Sequence, residues 1–233
     1  MKSKHLFTIL YILIAVTEIS ADLAGLVWLV YIFKPLIILS LLVFVLKRQR
    51  ISSTKKPVLF LAALVFALLG DILLMIQGVD LFIPGLGSFL MMQLLYIVLF
   101  RSDISSSIYV RTNIKSALLF LVFALGLYVI LFPYLPDPVM RTAVAIYALS
   151  IASMAWMAWL RKSFVSRTSF KMVFAGALFF MLSDSLIAID RFLISVPFNT
   201  IWVMSTYAAA QYLIIMGILK TKRTGSLNQP ADT

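Results

Sequence analysis

The sequence contains no cysteine and one histidine, His5, close to its start. The first absence removes disulfides, thiolate metal sites and cysteine nucleophiles. The second leaves too few imidazoles for a His-based zinc site. Charge is scarce too, at 12% of residues, where a soluble domain carries roughly 25%. Acids are scarcest, nine Asp and Glu against twenty Lys and Arg, for a net charge of +11. What abounds is apolar: 63% of the 233 residues are hydrophobic and the mean hydropathy is +1.06. A soluble fold of this length leaves too much surface unburied to hide that fraction. Lipid must cover the rest. The basic surplus does not point to nucleic acid, because Lys and Arg sit in short clusters between apolar runs, as membrane-protein loops do.

The chain opens Met1-Lys2-Ser3-Lys4-His5 and then turns apolar, a pattern shared by signal peptides. Glu18 and Asp22 flank the place where cleavage would fall, and no A-x-A site precedes it, so an uncleaved first helix is expected. A spanning helix needs about 20 mainly apolar residues. Eight segments approach that length: Leu6–Ser20, Gly25–Leu46, Pro57–Ile76, Phe82–Phe100, Ser116–Phe132, Val139–Leu160, Phe170–Ile189 and Ile201–Leu219. The expected fold is therefore all-α, a polytopic membrane protein of about eight helices over residues 1–219, with a polar, disordered cytoplasmic tail over 220–233.

Seventeen of the twenty Lys and Arg fall on the N-terminus, the even-numbered connections and the tail; the other side keeps only Arg141 and Arg191. The positive-inside rule then puts both termini in the cytoplasm of a multi-pass cell-membrane protein. Leu69-Gly70-Asp71-Ile72-Leu73-Leu74-Met75-Ile76 is echoed by Leu182-Ser183-Asp184-Ser185-Leu186-Ile187-Ala188-Ile189 about half a chain later. A duplicated four-helix unit would arrange them so.

Charge inside hydrocarbon is costly and usually functional. Lys34, Asp71 and Asp184 lie within predicted helices. At the helical rise both aspartates come out roughly 9 Å deep, Lys34 roughly 13 Å, and Gln93 and Gln211 near 16 Å. Tyr96 and Tyr207 share faces with the two glutamines. One buried polar cavity would gather all seven. The structural alternative has Lys34 pairing an aspartate as helix glue while the glutamines bond between helices. Ser183 and Ser185 can satisfy themselves on backbone carbonyls, and Glu18 and Asp22, at the outer interface, read as solvated loop acids, with residues of a cavity mouth as the alternative. The fifth and sixth segments add little beyond Tyr147, Ser150 and Ser153.

Lys34-Pro35-Leu36, Gly70-Asp71, Phe82-x-x-Gly85-Leu86-x-x-Phe89-Leu90 leading to Tyr96, Ser183-Asp184-Ser185-Leu186-Ile187-Ala188-Ile189 and Gln211-Tyr212-Leu213-Ile214 together resemble the YhhN family, which includes the lysoplasmalogenases. The resemblance runs from about Phe33 to Met216 and implies an eight-helix membrane hydrolase. Its implied substrate is a lysoplasmalogen, a glycerophospho-base with a vinyl-ether chain, cleaved to a fatty aldehyde and the glycerophospho-base. Asp71 and Asp184 match the family's two helix-borne aspartates. The family commonly carries a histidine where this chain has Gln93, and a glutamine exchanges no proton near neutral pH.

The chemistry suits the residues. Vinyl-ether hydrolysis protonates the β-carbon, and water attacks the resulting oxocarbenium ion. One carboxylic acid gives the proton and one carboxylate stabilises the cation and orients water, a division of labour resembling that of the glycosidases. No metal or organic cofactor is needed. Lys34, Gln93, Tyr96, Tyr207 and Gln211 would bind the lipid substrate. A proton-coupled transporter, or a non-catalytic lipid-binding membrane protein, would use the same buried charges differently.

Overall fold

Hydrocarbon offers no partner to a backbone amide, so each long apolar run must pair its own peptide groups, which a helix does. A computed structural model describes residues 2–48 and 55–221. It contains nine α-helices among those residues: α1 (Lys2–Leu23), α2 (Val27–Arg48), α3 (Lys55–Met75), α4 (Phe82–Asp103), α5 (Ser107–Thr112), α6 (Ala117–Leu131), α7 (Pro138–Leu160), α8 (Arg167–Phe192) and α9 (Asn199–Leu219). All but α5 belong to the eight stretches long and apolar enough to cross a membrane, α6 being lengthened by 3-10 turns at both ends. The protein is a polytopic helical membrane protein. The expected tail lies outside the described residues from 222 onward.

The helices outrun the apolar segments at their ends. α1 continues to Leu23 and α8 to Phe192, so Asp22 and Asp190, beyond the expected ends, are helical too. A hydropathy window stops at the first charge, whereas a helix continues until a cap or turn ends it. Asp137 caps α7 by accepting from Met140 N at 2.9 Å, with Pro138 in the first turn. Ser106 caps the short α5 in the same way, accepting from Tyr109 N at 3.1 Å. That element was not foreseen.

Packing follows a closed circuit, α1 on α2, α2 on α3, α3 on α4, α4 on α7, α7 on α8, α8 on α9 and α9 back on α1. α6 leans on the outside of α7, and its Leu118, Leu119, Val122 and Val129 are exposed for lipid. The pair α8 and α9 is drawn tight at Gly176, where a β-carbon would come within 2.8 Å of the Ala210 carbonyl oxygen.

Polar locks hold each end of the bundle. At the end holding the termini, fully buried Arg161 donates from Nε to Asp103 Oδ2 at 3.0 Å and from NH2 to Ser169 and Thr221, while Lys56 reaches the other Asp103 oxygen at 3.0 Å. These contacts join α3, α4, α7, α8 and the end of α9. At the opposite end Arg191 pairs with Asp80 at 2.7 Å and Thr200 donates to Asp22. The two sets of contacts fix α3 and α8 as parallel, both running away from the termini, so their aspartates lie toward the same end.

Candidate functional site

Asp71 follows Gly70 on α3. A β-carbon at Gly70 would meet the Phe89 ring of α4 at 2.7 Å, so glycine lets α4 press close enough to seal the carboxyl in. Asp71 is 2% exposed, and its Oδ2 accepts from the Tyr207 hydroxyl of α9 at 2.8 Å. The Tyr207 ring stands edge-on to Phe89 and tilted against Phe180, at 5.9 and 6.1 Å between centroids. More polar groups lie around it: Tyr11 donates to the Ala208 carbonyl at 2.8 Å, and Tyr96 donates to Gln211 Oε1 at 3.2 Å. Lys34 and Glu18 are the charged side chains close enough to act on Asp71 electrostatically.

Asp184 has different company. It is partly exposed on α8, and the Tyr147 hydroxyl of α7 donates to its Oδ2. Among the described residues no charged side chain forms an ion pair with it, and no hydrogen bond joins it to Asp71 or Lys34. The fully buried Gln93 of α4 lies beside the Tyr147 hydroxyl, but neither amide atom makes a well-aligned hydrogen bond to the protein. Ser183 and Ser185 turn to the Val203 and Met181 carbonyls, at 3.0 and 2.7 Å, as their positions suggested.

Two cavities among the described residues meet Lys34 and Asp184 separately, while Asp71, Gln93, Tyr96, Tyr207 and Gln211 line neither. A polar cavity of about 560 Å³ lies at the end of the bundle remote from the termini, with Glu18, Asp22, Lys34, Asp190, Arg191, Asn199 and Thr200 on its walls. A narrower apolar cavity of about 80 Å³ runs between α4, α6, α7 and α8, lined by Phe89, Phe123, Ala124, Tyr128, Tyr147, Ile151 and Asp184 among others. Leu74, Phe82 and Ile187 line both, so they form the partition.

The expected residues therefore divide. Lys34 faces the polar cavity and lies near enough to act on Asp71, which hangs on Tyr207 and lines neither cavity; Asp184 faces the apolar one on Tyr147, with Gln93 beside that hydroxyl. Tyr96 and Gln211 bond to each other in the buried interior, lining neither cavity, and Gln211 also donates to Met92 Sδ at 3.3 Å. Lys34 makes no ion pair within 4 Å among the described residues, so it is not glued to either aspartate by direct contact. Pro35 follows it and donates no backbone hydrogen bond, which leaves the Tyr31 carbonyl without its usual helical partner.

Two residues gain a place that the sequence reading did not give them. Glu18 is not a solvated interface acid: it is 1% exposed, inside α1, and on the polar cavity wall. Its helical register, one turn before Asp22, was the available signal. Tyr147 is the hydroxyl that holds Asp184; the sequence offered it only as one of three polar groups in its segment, with Ser150 and Ser153.

The chain matches the family model described as the YhhN family over residues 29–218. It is 30% identical to lysoplasmalogenase TMEM86A of Bos taurus, over 68% of this chain and 64% of that protein. The human TMEM86A lysoplasmalogenase is 32% identical over the same shares, and the human TMEM86B lysoplasmalogenase 31% identical over 68% and 62%. The match thus spans just under two thirds of the length of these relatives. No solved structure matches the chain.

Proposed function

The chain belongs to the YhhN family, and from that membership we propose that it is a membrane-embedded hydrolase that cleaves the vinyl-ether bond of lysoplasmalogen-type lipids. The lysoplasmalogenase relatives support the substrate class. The carrying observation is the placement of two tyrosine-held carboxyls, Asp71 near Lys34 of a polar cavity and Asp184 on an apolar one, with Leu74, Phe82 and Ile187 shared by the two cavities. A lysolipid has the same division: a charged glycerophospho-base, then the ether, then a hydrocarbon chain.

In this reading the head group occupies the polar cavity with its phosphate toward Lys34, and the chain crosses the partition into the apolar cavity. The β-carbon of a vinyl ether lies on the chain side of the oxygen, so Asp184, on the apolar side, gives it a proton. The α-carbon becomes an oxocarbenium centre on the polar side. Asp71, with Lys34 alongside, is the carboxylate that stabilises this cation and takes a proton from the attacking water. The hemiacetal then collapses: its hydroxyl proton returns to Asp184, the bond from the former α-carbon to the glycerol oxygen breaks, and Asp71 returns its proton to that oxygen. Aldehyde and glycerophospho-base leave, and both carboxyls are restored. Tyr207 and Tyr147 position the two carboxyls; Gln93, Tyr96 and Gln211 support them from the buried interior.

The test is aldehyde release by purified protein from a vinyl-ether lysolipid, matched mole for mole by the glycerophospho-base, with no cleavage of the saturated-ether analogue. Proton-coupled flux across proteoliposomes without aldehyde release would replace this reading by a carrier. We place both termini in the cytoplasm, from the basic clusters at that end of the bundle. Reporters fused after Gln77 and after Thr233 should lie on opposite sides of the membrane.

A further inference from the structure

The polar cavity holds a cation and a carboxylate that do not meet. Lys34 lines it without an ion pair within 4 Å among the described residues. Glu18 lines it too, is 1% exposed, and has no hydrogen-bond partner on Oε2. A second acceptor in the same wall, Asn199 Oδ1, is also buried without a hydrogen bond. Burying polar groups unmatched costs stability, so two residues that line one chamber and each carry an unmatched buried acceptor ask for a donor from outside the chain. At about 560 Å³ the chamber is of a size usual for small-molecule sites, about 300–1,000 Å³.

We infer that Glu18 and Asn199 form a subsite for a primary ammonium group, so that the cavity selects a phosphoethanolamine head group, with its phosphate at Lys34 and its ammonium at Glu18. This deepens, and rests on, the lysolipid reading of the same cavity. The zwitterion bridges the separated charges: phosphate oxygens accept from the Lys34 ammonium, and the substrate's N–H groups donate to Glu18 Oε2 and Asn199 Oδ1. A quaternary choline has no N–H to give and relies on charge alone or on an aromatic cage, and Phe82 is the one aromatic among the lining residues named for this cavity. A phosphoglycerol head group offers no positive charge at all. Asp22, bonded to Thr200, adds negative charge at the same wall. Glu18 lies on α1, outside the stretch 29–218 that the family model matches, whereas Asn199 and Lys34 lie inside it, so only the Glu18 part of the subsite falls beyond the match.

The test is binding, not turnover. Saturated-ether lysolipids, which have no vinyl ether to cleave, are titrated into the purified full-length protein in detergent, with ethanolamine, choline or glycerol as the head alcohol. The wild type should bind the ethanolamine form at least about tenfold more tightly than either other, the scale of one charge-assisted hydrogen bond. Glu18→Gln should bring the three within about twofold of one another, whereas Lys34→Met should weaken all three together. Equal binding of the three by the wild type, or an unchanged ratio in Glu18→Gln, overturns the inference. If Glu18→Gln does not yield a monodisperse protein, Asn199→Leu carries the test: a ratio reduced at least threefold supports the subsite and an unchanged ratio removes it. Aldehyde release from vinyl-ether lysolipids of all three head groups is measured separately. Release without head-group preference in binding keeps the hydrolase and discards the subsite; selective binding without release keeps the subsite and discards the hydrolase.

Discussion

Asp71 and Asp184 sit in matching sequence contexts on parallel helices, and each takes one hydrogen bond from a tyrosine on a neighbouring helix. Their surroundings nevertheless differ in kind. Asp71 is sealed by Phe89 and Tyr207, with Lys34 and Glu18 near enough to feel its charge. Asp184 is partly exposed on an apolar cavity, and among the described residues no charged side chain pairs with it. Likeness in sequence thus gave two carboxyls, and packing gave them opposite company. Lys34 stands near enough to Asp71 to act on it, whereas Asp184 lies on an apolar wall. That contrast is the basis for assigning donor and stabiliser.

The largest expected effect tests whether the two are nonetheless one machine. Asp71→Asn and Asp184→Asn should each lower turnover at least about a hundredfold, since general acid–base help alone is typically worth 10²–10⁴-fold. Asn keeps the size but neither gives the proton nor bears the charge. The double variant should be little worse than the worse single one, because groups acting as a unit are non-additive. The pH–rate profile of the wild type should be bell-shaped and should report the pair. Near-normal turnover by either Asn variant would falsify the paired mechanism.

Next comes Lys34, which separates the two surroundings. Lys34→Met should cost about tenfold or more in turnover while folded yield is kept. Its effect on thermal stability should depend on Asp71 but not on Asp184. Side chains that interact show coupling of about 0.5–3 kcal/mol, whereas independent sites add. The cycle Lys34→Met with Asp71→Asn should therefore couple, and the cycle with Asp184→Asn should not. Coupling to both would merge the two surroundings into one.

Much of this was legible before any coordinates. Each spanning helix announces itself as a long apolar run, and a charge in such a run is rare enough that Lys34, Asp71 and Asp184 stood out unaided. Helix ends were less legible: Glu18 interrupts an apolar run and so read as a loop acid, although nothing at that position stops a helix. The split into two cavities could not be read at all. Leu74, Phe82 and Ile187 are ordinary apolar residues, and only the packing of α3, α4 and α8 makes them a partition. Tyr147 and Asp184 likewise meet only because α7 packs on α8.

The tyrosines probe the same contrast at lower cost. Tyr207→Phe leaves a fully buried carboxyl without its donor, which costs about 1–3 kcal/mol. For a chain of this size 1 kcal/mol corresponds to about 2–4 °C in Tm. Tyr147→Phe should cost less, because Asp184 is only partly buried and the Gln93 amide lies alongside to replace the lost donor. Thermal unfolding in one detergent checks the order. A larger loss from Tyr147→Phe would mean that Asp184 is the more tightly held of the two.

The smallest effect is expected at Gln93, and it bears on what the Asp184 side lacks. Gln93 is fully buried, and neither its Oε1 nor its Nε2 has a well-aligned hydrogen bond to the protein. A buried amide without partners contributes little to stability and can subtract from it. Methionine fills nearly the same length with a thioether that asks for no hydrogen bond. Gln93→Met should therefore leave Tm unchanged or raise it by about 2 °C, the equivalent of about 0.5–1 kcal/mol. Turnover should fall by less than about tenfold, because the amide can orient Tyr147 or the substrate but cannot give up a proton to the β-carbon. A hundredfold loss with Tm intact would place Gln93 alongside the carboxyls. The apolar cavity would then hold a polar working group of its own, and the contrast between the two aspartates would have to be redrawn around it.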